Sequence, residues 1–134
     1  ELEPSRVVLY AGSVDVRRAA DDGSWTSTGD LVVRVGKLAE RVLGEPSVDE
    51  VILLGILPER ETGAELGARV RETNAGLAAL ALWMEGISFL PTFRAPLVND
   101  AGNLSEAFTA DGLHLNGKGY AMLADWLSPL LNGR

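Results

Sequence analysis

Three short apolar runs, separated by stretches of helical periodicity, constrain this chain of 134 residues more than any other feature. Arg6-Val7-Val8-Leu9-Tyr10 is apolar and β-branched and halts at Ala11-Gly12, which predicts a strand buried on both faces. Val51 to Leu57 predicts a second buried strand, and Ile87-Ser88-Phe89-Leu90 a third, stopped by Pro91. Between the first two, a polar loop at Asp21-Asp22-Gly23-Ser24 leads to a helix opening near Ser27 or Thr28. Its stripe is Leu31, Val35, Leu38 and Val42, and Gly44 with Pro46 supplies the stop. A longer helix is predicted from about Thr62 to Glu85, with Leu66, Val70, Leu77, Ala81 and Met84 on one face and Gly86 at its end. Pro91 to Gly112 has loop chemistry, including Asn99-Asp100-Ala101-Gly102-Asn103. A last helix follows Asn116 as N-cap, with Tyr120, Leu123, Leu127 and Leu130 on its buried face. The order β-α-β-α-β-loop-α predicts an α/β fold with parallel strands in one domain spanning residues 1–134.

Composition narrows the function. Nineteen acidic residues against 12 basic ones give a net charge of -7, and no basic stripe interrupts that balance, so nucleic acid is not an expected partner. The absence of cysteine removes disulfides, thiolate zinc sites and cysteine nucleophiles together. No apolar run approaches the roughly 18 residues of a membrane span, and Glu1-Leu2-Glu3-Pro4 lacks the basic end and apolar centre of a signal peptide. The chain therefore reads as soluble. Ten arginines against two lysines suggest a GC-rich bacterial gene. Trp25, Trp83 and Trp126 are isolated from one another and from basic residues, which favours packing over a stacking platform.

The single histidine, His114, lies in Asp111-Gly112-Leu113-His114. A carboxylate three residues before an imidazole, with glycine between them for a tight turn, can accept the Nδ1 proton, fix the tautomer and stabilise the charged ring. Nε2 is then free to act as a base. Taken alone, so short a motif more often belongs to a surface or capping histidine at a helix start.

The wider context carries a resemblance. Asp111-Gly112-Leu113-His114-Leu115-Asn116 with Gly119-Tyr120 and an amphipathic helix resembles the C-terminal block of the GDSL/SGNH hydrolases. Upstream, Arg6-Val7-Val8-Leu9-Tyr10-Ala11-Gly12-Ser13-Val14-Asp15 is similar to that family's strand ending in a Gly-x-Asn-Asp block. Leu54-Gly55-Ile56-Leu57-Pro58 resembles its next strand and proline, and Asn74 matches an asparagine usual at that point. The resemblance implies a flavodoxin-like three-layer α/β/α fold with a parallel sheet. It implies hydrolysis of small-molecule esters or acylated sugars and lipids by a Ser-His-Asp triad, with no cofactor and no metal. Asp111 and His114 take the acid and base positions; Gly12, Ser13, Val14 and Asp15 become candidates for the oxyanion hole or substrate loop.

Two departures shape the expectation. No Gly-Asp-Ser block is present, so the fold is expected to be incomplete at its N-terminus, with the serine supplied by an upstream segment or a complementing chain. Val14 also stands where the family has its oxyanion asparagine, and one lost donor costs about 3 to 4 kcal/mol of transition-state stabilisation. Ser13 is the lesser candidate for a nucleophile, because placing the first block there leaves too little chain for the other strands. Asp15 reads chiefly as a structural residue at a strand-to-loop junction, Ser24 and Ser27 as turn and capping residues, and Arg94 as a solvated loop arginine. The alternative to an esterase is a catalytically inactive binding or scaffold domain of the same fold.

Overall fold

The computed structural model describes residues 3–22 and 27–132. The turn expected at Gly23-Ser24 and the packing expected of Trp25 lie outside those residues. The elements are β1 (Arg6–Leu9), α1 (Ser13–Asp22), α2 (Thr28–Leu43), β2 (Glu50–Leu54), α3 (Ala64–Trp83), β3 (Ile87–Leu90) and α4 (Gly117–Asn132), with short 3-10 turns at Thr92–Arg94 and Glu106–Phe108. They divide into two compact units, Glu1–Ile56 with Ala64–Pro91 and Leu57–Gly63 with Thr92–Arg134.

The first unit is built on a parallel sheet of order β1-β2-β3, with Val7 opposite Val51 and Val51 opposite Ile87. Central β2 is buried on both faces, as its unbroken apolar run requires: Val51 and Leu53 join the core with α2 and α3, and Ile52 and Leu54 are also buried. The expectation of full burial fails for β1. Among the described residues it is an edge strand paired to β2 alone, and all four of its residues are half-buried. A polar ladder crosses the sheet, in which Glu50 accepts from Arg6 Nε at 3.0 Å and from Ser88 Oγ at 2.9 Å.

Helix α1 was not legible as a helix. Its sequence Arg17-Arg18-Ala19-Ala20-Asp21-Asp22 lacks an apolar stripe, yet the chain is helical through Asp22, and the loop expected at Asp21-Asp22 is the helix end. Among its described side chains, Val16 is fully buried and docks the helix on the core. Helix α2 begins where predicted, with Ser27 Oγ accepting from Asp30 N at 3.0 Å. Its buried face is Leu31, Val35, Gly36 and Ala39, and Leu38 is exposed. The stripe is rotated toward small residues because α2 and α3 interlock through glycines. A Cβ on Gly36 would stand 2.9 Å from Leu80 Cδ1, and one on Gly76 would stand 2.7 Å from Val32 Cγ2. At the far end of α3, Trp83 is exposed, not packed. Asn74 turns inward from α3: its Oδ1 accepts from Ile56 N at 2.7 Å and its Nδ2 donates to Ile56 O at 3.1 Å. The side-chain amide thereby supplies strand-like bonds just beyond the end of β2.

The second unit has a core of its own. Ala95, Leu97 and Leu104 are buried within the stretch expected as loop, and Leu57, Phe108, Leu115, Met122, Leu123 and Trp126 pack on them. Asn99 Oδ1 accepts from the amides of Ala101 and Asn103, closing the predicted turn. Asn116 caps α4 by accepting from Gly119 N at 2.9 Å. The buried face of α4 centres on Gly119 and Leu127, leaving Tyr120 and Leu130 exposed against expectation. Gly119 sets that rotation, since a Cβ there would lie 2.6 Å from the carbonyl oxygen of Phe108. Among the described residues no helix is long and apolar enough to cross a membrane.

Candidate active site

Asp111 and His114 meet at the mouth of α4. Gly112 adopts a φ of +85°, a conformation glycine takes readily, and this folds Asp111 back over the two residues that follow. Asp111 Oδ1 accepts from Leu113 N at 2.9 Å and from His114 N at 2.8 Å, an Asx turn that orients the carboxylate against its own backbone. Its second oxygen, Oδ2, lies 2.6 Å from His114 Nδ1. These bonds to the His114 ring, the His114 amide and the Leu113 amide hold the Asp111 carboxyl well below the usual carboxylate range. An ionised carboxylate can only accept, so the shared hydrogen belongs to Nδ1 and the neutral ring presents a bare Nε2. Both side chains are exposed, His114 at 72% and Asp111 at 55%, so Nε2 is open to a reacting group.

Neighbouring loop residues brace this turn. Arg60 N donates to Gly112 O at 2.8 Å, and the Arg60 side chain covers the glycine, with Cζ 3.4 Å from where a Cβ would stand. Asn116 donates from its side chain to Ala107 O and from its backbone to Phe108 O, joining the turn to the start of α4. Sequence reasoning missed Thr109, which is 4% exposed and hydrogen-bonded into the same turn. A threonine two residues before an Asx turn was the available signal.

The other sequence candidates cluster at the β1–α1 junction of the first unit. Gly12 has a φ of +98°, and its carbonyl accepts the first helical bond, from Val16 N at 3.0 Å. Ser13, Val14 and Asp15 form the first turn of α1, so Asp15 is a helical residue and not a loop residue. Val14 is 65% exposed and brings no side-chain donor to that turn. Arg94 belongs to the 3-10 turn after β3, and its guanidinium lies 5.5 Å from the Phe93 ring centroid. Among the described residues no group of three or more His, Cys, Asp or Glu side chains could hold a metal ion.

Residues 1–122 match the model of the GDSL-like Lipase/Acylhydrolase family. No curated protein matches the chain. Among solved structures, a protein described as a platelet activating factor from Streptococcus pneumonia is 25% identical with a TM-score of 0.78, covering 95% of this chain and 59% of that one. A protein described as an acylhydrolase from Bacteroides fragilis is 23% identical with a TM-score of 0.72, covering 98% of this chain and 62% of its own. A GDSL-like lipase from Bacteroides thetaiotaomicron is 22% identical with a TM-score of 0.68, over 96% and 62%. This chain thus spans about three-fifths of the length of these solved relatives. Its three parallel strands and helices are part of the flavodoxin-like α/β/α fold of SGNH/GDSL hydrolases. The chain belongs to the GDSL-like lipase/acylhydrolase family.

Proposed function

We propose that this chain carries the acid–base half of an acyl-ester hydrolase, with His114 as general base and Asp111 as its orienting carboxylate. The observation that carries the reading is the 2.6 Å contact between Asp111 Oδ2 and His114 Nδ1, made by a carboxylate fixed through two backbone amides. In the reaction, a serine supplied from outside this chain attacks the ester carbonyl while His114 Nε2 takes its proton. Asp111 stabilises the resulting imidazolium, which returns the proton to the leaving alcohol. Water then repeats the sequence on the acyl-enzyme. Substrates in this reading are esters of small molecules, acylated sugars or lipids. Gly12, Ser13, Val14 and Asp15 are the candidate oxyanion and substrate-loop residues. With valine at position 14 the side-chain donor is missing, which favours a slow enzyme and keeps an inactive binding domain as the second reading.

Hydrolysis of a short acyl ester by this chain joined to a serine-bearing segment tests the proposal. His114→Ala should abolish turnover, and activity should fall on acidification, because a protonated imidazole is no base. Val14→Asn should raise kcat by up to about a hundredfold if the new amide reaches the oxyanion. A protein without serine-dependent hydrolysis, unchanged by Val14→Asn, supports the binding domain instead.

A further inference from the structure

We propose that Thr109 is a positioning residue for the Asp111–His114 pair, locking both ends of its turn through one buried hydroxyl. This rests on the reading of that pair as base and orienting carboxylate. The pair itself is exposed, so packing does not hold the imidazole against the carboxylate. Its alignment has to come from the turn, and the turn is anchored from behind. Thr109 Oγ1 accepts from Gly112 N at 2.9 Å and approaches His114 O at 2.7 Å. A carbonyl oxygen can only accept, so the single hydroxyl hydrogen is directed to His114. The same oxygen lies 3.3 Å from Asp111 Oδ1. One atom therefore touches Asp111, Gly112 and His114, three of the four residues of the motif.

Backbone pairing between Thr109 and Leu115 closes the loop around that oxygen. Asp111 reaches the His114 ring only while Gly112 keeps its positive φ and the His114 backbone keeps its place. Thr109 ties down a group at each of those points. Removing the hydroxyl would strip the buried Gly112 amide and the His114 carbonyl of a partner together. The turn would then relax toward other arrangements, and the imidazole would lose its fixed orientation.

His114 is the only histidine, so its ring nitrogens give unambiguous signals in a ¹⁵N-labelled chain. With the ring neutral, the wild type and Thr109→Ser should show a single tautomer bearing hydrogen on Nδ1. Thr109→Val and the control Asp111→Asn should show a mixture containing the Nε2–H form. A Thr109→Val protein that folds and keeps the wild-type ring shifts overturns the proposal, since the hydroxyl then contributes only stability. Should the valine variant not fold, Thr109→Ser decides: a single Nδ1–H tautomer supports the hydroxyl as the anchor, and a mixture overturns it. The spectra read the ring and not turnover. A protein that hydrolyses no ester would reject the functional reading and leave this result standing, whereas a wild-type mixture of tautomers would reject the positioning role even in an active enzyme.

Discussion

Replacing Gly119 with alanine pits two effects of opposite sign against each other at the base of the candidate site. In an unobstructed helix the change stabilises by about 1 kcal/mol, because alanine loses less backbone entropy than glycine. Here the new methyl carbon would stand 2.6 Å from Phe108 O, 3.1 Å from Leu115 Cβ and 3.2 Å from Leu115 Cδ2. The nearest atom is a backbone oxygen that already accepts from Asn116 N at 2.9 Å, so it cannot move without weakening the start of α4. Overpacking of this kind costs about 1 to 3 kcal/mol. Because the clash is with backbone, the steric term wins, leaving a net loss of up to about 2 kcal/mol and a Tm lower by up to roughly 7 °C for a chain of this size. Gly117 is the internal control: nothing lies within 4 Å of its Cβ position, and Gly117→Ala should leave Tm unchanged or raise it. Thermal unfolding followed by circular dichroism reads both variants. A Gly119→Ala protein as stable as Gly117→Ala would refute the close approach and the rotation of α4 derived from it.

Two further outcomes follow from the hydrogen bonding. Asp111 should titrate far below a free aspartate, and in His114→Ala its midpoint should climb back toward the ordinary value, read by carboxyl ¹³C NMR. Because the folded-state value is the lower one, the stabilisation from Asp111 is complete above the unfolded value, about pH 3.9, and is lost as pH falls through the folded value; an Asp111 resonance indifferent to His114→Ala would contradict this. Thr73 is fully buried in α3 and its hydroxyl has no partner among the described residues, so Thr73→Val should stabilise by about 1 kcal/mol in urea unfolding, and a loss of similar size would show that the hydroxyl is satisfied.

Much of this architecture could be read from residue patterns because the strands announce themselves. Ile87–Leu90 was bounded to the residue by Gly86 and Pro91, and Ser27 and Asn116 cap helices where short polar side chains precede an apolar period. What the pattern hid was carried by small or polar residues. Helix α1 carries no apolar stripe through Arg17-Arg18-Ala19-Ala20-Asp21-Asp22, so periodicity did not mark it. The faces of α2 and α4 were misread because Gly36 and Gly119, invisible to a hydrophobic count, lie at the close approaches. The second core escaped because Ala95, Leu97 and Leu104 sit in a turn-rich segment without a period. At the candidate site, the Asp111–His114 contact followed from spacing and the intervening glycine. Thr109 did not, since a hydroxyl that bonds across five residues leaves no periodic trace.

The central claim, that His114 activates a serine supplied from outside this chain, is tested most directly by labelling with a fluorophosphonate, which modifies only an activated serine. In the chain joined to a serine-bearing segment, peptide mapping should place the label outside residues 1–134, and His114→Ala should slow labelling by about a thousandfold or more. Labelling of Ser13, or a rate unchanged by His114→Ala, would contradict the account.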